Sequence, residues 1–174
     1  RGNITANNIV VATHYPIMNA PGYYFMKMHQ ERSYVIALEN ADNVNGMYID
    51  VEKNGCSFRN YKDLLLLGAI DQRTGENEKG GCYDKLRKIA KDLYPNSKEK
   101  YHWSAQDCMT IDKIPYIGKY SDKTPNIYVA TGFNKWGMTS SMVSAMIISD
   151  MILDKENDFS EIFSPKRFDL SLSI

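Results

Sequence analysis

Residues 127–153 contain a short apolar run, a glycine-containing turn and a helical pattern, in that order. Of all segments of the chain, this one has the residue pattern that most clearly predicts a binding site. The turn has the form Gly132-x4-Gly137, and the helix is predicted to start near Met138 or Thr139. The first N–H groups of a helix have no acceptor within it, and the helix dipole adds partial positive charge at the same end. The segment therefore predicts a site for a negatively charged group.

Two alternatives to this interpretation of the turn stay open. The phosphate-binding P-loop has the form G-x4-G-K-[ST], but here Gly137 is followed by Met138 and Thr139, so the lysine position holds a methionine. Lys135 lies inside the loop instead. A nucleoside triphosphatase is therefore disfavoured, and the simpler alternative is a helix start that binds nothing.

Two apolar, β-branched runs, at 8–13 and 126–131, are typical of strands buried on both faces of a parallel sheet. The second run leads directly into the glycine turn. Because the two runs bracket a long segment of different character, we expect the outer pieces of the chain to form one domain and the middle to form another.

The middle segment has the pattern of an antiparallel sheet. Runs rich in β-forming residues occur at 32–39, 46–52 and 64–69. Asn54-Gly55 lies between two β-rich runs and predicts a hairpin, because both residue types tolerate positive φ. The rest of the chain is predicted to contain an exposed, mobile loop over 71–81, a helix over 83–93 and a turn-rich connection over 112–118.

The composition disfavours several classes of partner. The 21 basic and 21 acidic residues give a net charge of zero, which argues against binding to nucleic acid or to an anionic membrane surface. The longest apolar stretch, 138–153, is interrupted by serines and Asp150, so no membrane span is predicted. The 3 cysteines form no CxxC pair and do not group with the 3 histidines, which predicts free thiols in a cytoplasmic protein and no metal site.

Three motifs follow one another in the second half of the chain: Trp103-Ser104-Ala105-Gln106-Asp107, then Thr110-x-Asp112-x-x-Pro115-Tyr116-Ile117-Gly118, then residues 125–133. In order and spacing they resemble the closing section of the D-amino-acid/glycine oxidase superfamily of FAD-dependent oxidoreductases. The family pattern is roughly T-x-D-x-x-P-x-I-G, a spacer, a strand of the type N-[IL]-[YF]-V-A-x-G, and a helix. Segments 103–107 and 132–139 are most similar to a bacterial branch whose members often carry a Rieske iron–sulfur domain.

The resemblance covers most of residues 8–153 and implies an α/β fold with α+β character. An antiparallel-sheet substrate domain would be inserted in an incomplete, Rossmann-like FAD-binding domain. The implied bounds are 1–20 and 101–155 for the partial FAD-binding domain, 21–100 for the substrate-binding domain, and 156–174 for a C-terminal tail or linker.

The resemblance also implies FAD as cofactor in the full-length protein. Residues near the flavin would come from the end of the first strand and from the turn and helix start, where N–H groups would stabilise negative charge on the flavin. The cofactor-binding residues expected on this basis are Ala12, Thr13, Gly132, Phe133, Asn134, Lys135, Trp136, Gly137, Met138 and Thr139.

The implied reaction is oxidation of an amine or amino-acid-like small molecule by hydride transfer to flavin, and no motif identifies a catalytic residue or the electron acceptor. The sheet over 32–69 would cover the flavin and form part of the substrate pocket. Candidate substrate residues are Arg32, Tyr34, His102, Trp103, Gln106 and Asp107.

Two departures from the family pattern affect these expectations. Family members that oxidise amino acids commonly hold the substrate carboxylate with an arginine shortly before T-x-D, and here that position falls at Asp107, which repels a carboxylate. Arg32 or Lys27 are alternatives. The second departure is the absence of a GxGxxG fingerprint and of a Rieske CxH and CxxH pattern.

A chain without the fingerprint and without an initial Met is expected to be a fragment of a longer protein. Alone, it is expected to be inactive and to bind FAD poorly or not at all. The alternatives from other classes are a non-catalytic interaction or scaffold domain that retains the fold, and a small-ligand-binding domain.

Overall fold

The computed structural model describes residues 2–52, 55–76 and 80–167. These residues form eight strands and two α-helices: β1 (Ile9–Val11), β2 (Met28–Glu39), β3 (Met47–Ile49), β4 (Ser57–Tyr61), β5 (Leu64–Arg73), α1 (Cys82–Leu93), β6 (Lys98–Thr110), β7 (Tyr116–Lys119), β8 (Ile127–Thr131) and α2 (Gly137–Ile152). The chain divides into two compact units, and within the described residues unit 1 comprises 2–30 and 107–167 while unit 2 comprises 31–106. The fold is mixed α and β, as the sequence predicts.

Unit 1 contains a three-stranded sheet of order β1-β8-β7. β1 and β8 are parallel, with Ile9 opposite Ile127 and Val11 opposite Val129, whereas β7 and β8 are antiparallel. On one face, Ile147 and Ile148 of α2 pack against apolar side chains of β7 and β8. The opposite face packs into a second apolar core that contains Tyr24, Tyr116, Tyr120 and Cys108.

The prediction that both parallel strands are buried on both faces is wrong for β1. Val11 is buried, but Ile9 and Val10 are about half exposed. β1 lies at one edge of the three-stranded sheet, and α2 packs over the other two strands. The β-branched run therefore predicts the strand and its parallel-sheet character correctly, but it overstates how much of the strand is buried.

Unit 2 contains a five-stranded sheet of order β3-β4-β5-β2-β6. β2 and β5 are antiparallel, as are β3 with β4 and β4 with β5, which confirms the predicted antiparallel sheet. The pairing of β3 with β4 also confirms the predicted hairpin, although Asn54 itself lies outside the described residues. Alternate side chains of β2 and β5, among them Ile36 and Leu67, form a core with Leu86 of α1.

Three elements differ from the sequence-based expectation. The first half of β6 has no apolar alternation, so the sequence does not predict this strand, which pairs beside β2 in the sheet. β7 overlaps the end of the region 112–118, which the sequence predicts to be a turn-rich connection. β5 continues to Arg73, so the expected loop over 71–81 begins later, and residues 77–79 of that loop lie outside the described residues.

The bounds of the two compact units differ from the predicted domain bounds. Residues 21–30 belong to unit 1 rather than to the middle domain, and 101–106 belong to unit 2. The physical reason is that β2 and β6 are long strands that continue from one unit into the other. The assignment of unit 1 to FAD binding and of unit 2 to substrate binding stays a prediction.

Residues 156–167 pack on unit 1, whereas the sequence predicts a tail or linker for them. The Ile117 N–H donates to the carbonyl oxygen of Phe163 at 2.8 Å. Arg167 donates from Nε to Asp112 Oδ2 at 2.7 Å, donates to the Ile114 carbonyl oxygen, and lies with its guanidinium carbon 4.4 Å from the centre of the Tyr116 ring. Residues 168–174 of the predicted tail lie outside the described residues.

The Arg167–Asp112 pair predicts an acid-sensitive contribution to stability. Burial alone would raise the pKa of Asp112, but hydrogen bonds from Arg167 and from the Ile114 N–H outweigh it and lower the pKa. Because the pKa is lower in the folded state, the stabilisation is present above the unfolded pKa of about 4 and is lost as pH falls through the folded value.

We expect Arg167→Met to lower the free energy of unfolding by about 1–2 kcal/mol at neutral pH, since both side chains are about one-fifth exposed and solvent weakens the pair. The variant should also lose less stability than the wild type when pH is lowered below about 4. Urea unfolding across this pH range measures both effects. Lys166→Met is the control, because its pair with Asp122 is well exposed, and equal losses in the two variants would contradict the assignment.

Candidate functional site

The turn between β8 and α2 has a tightly bent backbone. Gly132 has a φ of 70°, Asn134 of 48° and Lys135 of 72°, all in the left-handed region. A Cβ atom added to Gly132 would lie 2.3 Å from Thr110 Cγ2 and 3.2 Å from Met28 Sδ. Glycine is therefore required at 132 both by the backbone conformation and by the close approach of β6.

The Asn134 side chain fixes the turn to the end of β6. Its Oδ1 accepts the Thr110 N–H at 2.8 Å, and its Nδ2 donates to the Gly132 carbonyl oxygen at 2.8 Å and to Thr110 Oγ1 at 3.1 Å. The Asn134 N–H donates to the Cys108 carbonyl oxygen at 3.2 Å. Asparagine adopts the left-handed region more readily than most residues, so the same side chain favours the bend and satisfies the backbone around it.

The start of α2 is exposed and has the features of an anion site. No side chain caps the helix, and its first turn contains no acidic residue. A Cβ atom added to Gly137 would meet no atom within 4 Å, and Trp136, Met138 and Thr139 are also exposed. The expected N-terminal N–H groups are thus on a surface that a ligand can approach.

The end of β1 lies beside this turn, because β1 is the parallel neighbour of β8. Ala12 and Thr13 follow β1 and are exposed, and Thr13 Oγ1 donates to the Tyr15 carbonyl oxygen at 2.8 Å. Thr131 Oγ1, at the end of β8, donates to the His14 carbonyl oxygen. The structure therefore brings the segments that contain the ten predicted cofactor-binding residues together at the carboxyl ends of two parallel strands, which is where open α/β sheets bind ligands.

Asp107 forms an ion pair with Lys135 of the turn, with Nζ 3.4 Å from Oδ2. Both side chains are more than two-thirds buried. Asp107 belongs to unit 1, and in the expected position of an arginine it instead binds a lysine from within the Gly132–Gly137 segment. An ion pair of this kind does not supply a free cation for a substrate carboxylate.

Tyr34 and His102 both contact Tyr83 of α1 in unit 2. The ring centres of Tyr34 and Tyr83 are 4.9 Å apart, and those of Tyr83 and His102 are 4.7 Å apart. Tyr34 is buried and its hydroxyl accepts Gln72 Nε2 at 2.8 Å, while His102 Nδ1 lies 2.8 Å from Glu99 Oε1. Both side chains thus lie on the α1 side of the sheet.

The remaining predicted substrate residues of unit 2 are Arg32, Gln106 and Trp103, and Arg32 lies close enough to Tyr34 for the two side chains to interact electrostatically. Arg32 lies opposite Gln72, beside an irregularity in the β2–β5 register, and Gln106 Nε2 lies 3.3 Å from Thr74 Oγ1. Trp103 lies beside Ala37 and Leu66, on the sheet face opposite α1. Arg59 lines the same depression and was not among the predicted residues, although the alternation of β4 places it on one face with Tyr61.

The predicted alternative cation, Lys27, has partners within unit 1. Its Nζ donates to the Pro165 carbonyl oxygen at 2.9 Å and lies 5.2 Å from the centre of the Tyr24 ring. Burial, with a smaller contribution from Arg167, lowers its pKa. Cys108 is a core thiol, since it is buried and burial raises its pKa to about 11.

Neither a metal centre nor a membrane helix is found where the structure describes the chain. No group of three or more His, Cys, Asp and Glu side chains among the described residues is arranged to hold a metal ion. Within the same residues, no helix combines the length and the apolar character needed to cross a membrane.

Comparison with known proteins gives consistent matches. Residues 1–151 match the sequence profile of the DAO family, described as FAD-dependent oxidoreductases. The Bacillus subtilis (strain 168) protein YhfW, named as a Rieske 2Fe-2S iron-sulfur protein, is 38% identical over 177 residues, which cover 98% of this chain and 35% of YhfW. The chain thus spans about a third of the length of this curated relative.

Two solved structures show the same fold. Glycine oxidase from Geobacillus kaustophilus superposes with a TM-score of 0.75 at 20% identity, over 94% of this chain and 46% of the oxidase. Iminodiacetate oxidase from Chelativorans sp. BNC1 superposes with a TM-score of 0.71 at 11% identity, over 93% of this chain and 47% of that enzyme. At these identities the likeness concerns the fold.

Proposed function

The chain belongs to the family of FAD-dependent oxidoreductases, and from this premise we propose that the complete protein binds FAD and oxidises a C–N bond of an amine or amino-acid-like small molecule. Unit 1 would contribute part of the FAD-binding domain and unit 2 the substrate domain. The observation that carries the proposal is the uncapped, exposed start of α2 at the carboxyl ends of β1 and β8.

The residues of unit 1 fit such a cofactor. The surface around Gly137 is open, and no acidic side chain in the first turn of α2 repels an anionic group. At the start of α2, the N–H groups of the first helical turn are the hydrogen-bond donors that would face the cofactor. Lys135 adds positive charge nearby, although its ion pair with Asp107 reduces it.

FAD, when bound, supplies the acceptor for the hydride that leaves the carbon of the C–N bond. The residues of this chain would position the cofactor and stabilise the negative charge that develops on it. Gly132 and Asn134 hold the turn that leads into α2, and the N–H groups of the first helical turn would stabilise negative charge at the site. A turn fixed in advance by hydrogen bonds needs no rearrangement when the charge develops.

We expect Gly137→Val to weaken FAD binding without unfolding the protein. The added side chain meets no protein atom, so the free energy of unfolding should change by less than about 0.5 kcal/mol. At a surface that contacts the cofactor, the added side chain would cost about 1.4–2.8 kcal/mol of binding free energy, which is roughly a tenfold to hundredfold rise in the Kd for FAD. Ser149→Val, near the exposed far end of α2, is the matched control. An unchanged Kd in Gly137→Val would remove the helix start from the site.

The reaction itself is tested by mixing the flavin-loaded complete protein with amines and amino acids without oxygen. Loss of the visible flavin absorption on addition of one of these compounds, and not of the matching alcohols, is the expected result. The alternative function is an interaction or scaffold domain that retains the fold. A protein whose flavin is not reduced by any amine would favour that alternative.

A further inference from the structure

β3 is an edge strand of the five-stranded sheet of unit 2, and the residues along it are apolar and exposed. The sheet order places β4 on one side of β3, and among the described residues no strand pairs with its other side. Met47 is 79% exposed, Ile49 72% and Val51, just beyond the strand, 96%. Because the free backbone groups of an edge strand are a template for a further strand, this edge is a candidate interaction surface.

The pairing with β4 determines which backbone groups of β3 point outwards. The Asp50 N–H donates to the Cys56 carbonyl oxygen at 2.9 Å, and this pair continues the register of β3 with β4. In an antiparallel pair, residues that bond to the neighbouring strand alternate with residues whose N–H and C=O groups point to the other side. Since Asp50 bonds towards β4, the N–H and C=O groups of Met47 and Ile49 point away from the sheet.

The side chains of β3 lie on both faces of the sheet. Tyr48 lies opposite Phe58, which packs against the core that includes α1. Met47 lies opposite Arg59, and residues directly opposite each other share a face, so Met47 and Ile49 lie on the face away from α1. A further strand beside β3 would therefore cover apolar side chains on both faces and remove their surface from water.

The two edges of this sheet differ in charge. β6, at the opposite edge, begins with the exposed residues Lys98 and Lys100. Lysine and proline on an edge strand prevent pairing between molecules. Residues 46–51 contain neither, and Asp50 is the one charged residue among them. β3 thus lacks the side chains that keep a second molecule away from β6.

Two copies of β3 are complementary to each other. In an antiparallel pair about a two-fold axis at Tyr48, Met47 of each copy would lie opposite Ile49 of the other, and their outward N–H and C=O groups would exchange hydrogen bonds. Asp50 of each copy would lie opposite Gly46 of the other, so no like charges would be directly opposite. A surface that is complementary to itself closes as a two-fold dimer.

We propose that the complete protein associates with a second copy of itself through β3, so that the two five-stranded sheets join into one continuous sheet. The inference goes beyond the proposed function and does not depend on it, because every residue that carries it belongs to unit 2. The strand contributes 3 residues from each copy, which makes a small interface. The expected Kd is therefore on the order of micromolar.

Sedimentation equilibrium of the complete protein over roughly 1–100 μM tests the association. Ile49→Lys should raise the Kd of this association at least roughly tenfold, because the pair would bring two ammonium groups close together at the joined edge. Leu93→Lys, which replaces an exposed apolar residue at the end of α1 in the same unit, is the matched control and should leave the Kd unchanged. Circular dichroism should show that both variants are folded.

A crosslink tests the pairing itself. Mild oxidation of Tyr48→Cys should give a disulfide-linked dimer, because the Cα atoms of the pair at the two-fold axis would be about 4.5 Å apart. Tyr101→Cys, an exposed position on β6 at the other edge, should crosslink no more than wild type.

Three results would overturn the inference. The first is a folded wild type that stays monomeric over the whole concentration range, even if hydrogen exchange shows that another segment protects the outward N–H groups of β3. The second is an equal Kd for Ile49→Lys and wild type. The third is a protein that dimerises but forms no crosslink through Tyr48→Cys.

Discussion

Replacing Gly132 with alanine is expected to lower the free energy of unfolding by roughly 2–4 kcal/mol. Two effects add. An L-residue in the left-handed region costs roughly 1–2 kcal/mol, and the new Cβ would lie 2.3 Å from Thr110 Cγ2, a distance that forces β6 or the turn to move. Urea unfolding of the purified variant measures the loss.

Because Gly132 and Gly137 lie at the two ends of the same turn, Gly137→Ala is the matched control. Its Cβ meets no atom within 4 Å, and alanine favours the helix more than glycine does, so stability should be unchanged or slightly higher. Equal stability of the two alanine variants would show that the turn is not packed against Thr110 as described.

Asn134→Ala is expected to cost roughly 2–4 kcal/mol of unfolding free energy. The substitution leaves the partly buried Thr110 N–H without the acceptor that lies 2.8 Å away and removes the donor to the Gly132 carbonyl oxygen. An unsatisfied backbone group costs about 1–3 kcal/mol. Alanine is also less suited than asparagine to the φ of 48° at this position.

Asn134→Ala should also weaken FAD binding, and this effect should not depend on the loss of stability. With the turn released, the start of α2 is no longer held against β6, so FAD affinity should fall even at temperatures where the variant is folded. Asn126→Ala is the control, since Asn126 is an exposed asparagine at the start of the same strand–turn–helix segment. A variant of Asn134 with native stability and native FAD affinity would contradict the role given to its side chain.

The sequence predicts the local elements around the site because their signals are local. The β-branched run of β8, the Gly132-x4-Gly137 turn and the start of α2 follow one another within about a dozen residues. The membership of β1 and β8 in one domain is also predictable, because both runs have the character of parallel strands, whereas their direct pairing is known only from the structure. The burial of β1 is not, since exposure of Ile9 and Val10 depends on which elements cover the sheet edge.

β6 is a strand that its own residue pattern does not predict. Its first half, Lys-Glu-Lys-Tyr-His-Trp, has polar residues on both faces, and the strand is defined by its place beside β2 rather than by its own pattern. The same dependence on pairing applies to Arg59, because only the register of β4 and β5 places it next to Leu66. Asn134 was predicted as a cofactor-binding residue, but its contacts with Thr110 could not be derived from spacing.

The central claim is that these residues form part of a flavoprotein, and the most direct measurement is the cofactor content of the complete natural protein. Purified protein should show the visible absorption of a bound flavin, and denaturation should release one FAD for each chain, identified by mass. Gly137→Val should yield protein with the same fold and less FAD. A colourless protein that binds no added FAD, while folded as wild type, would contradict the account.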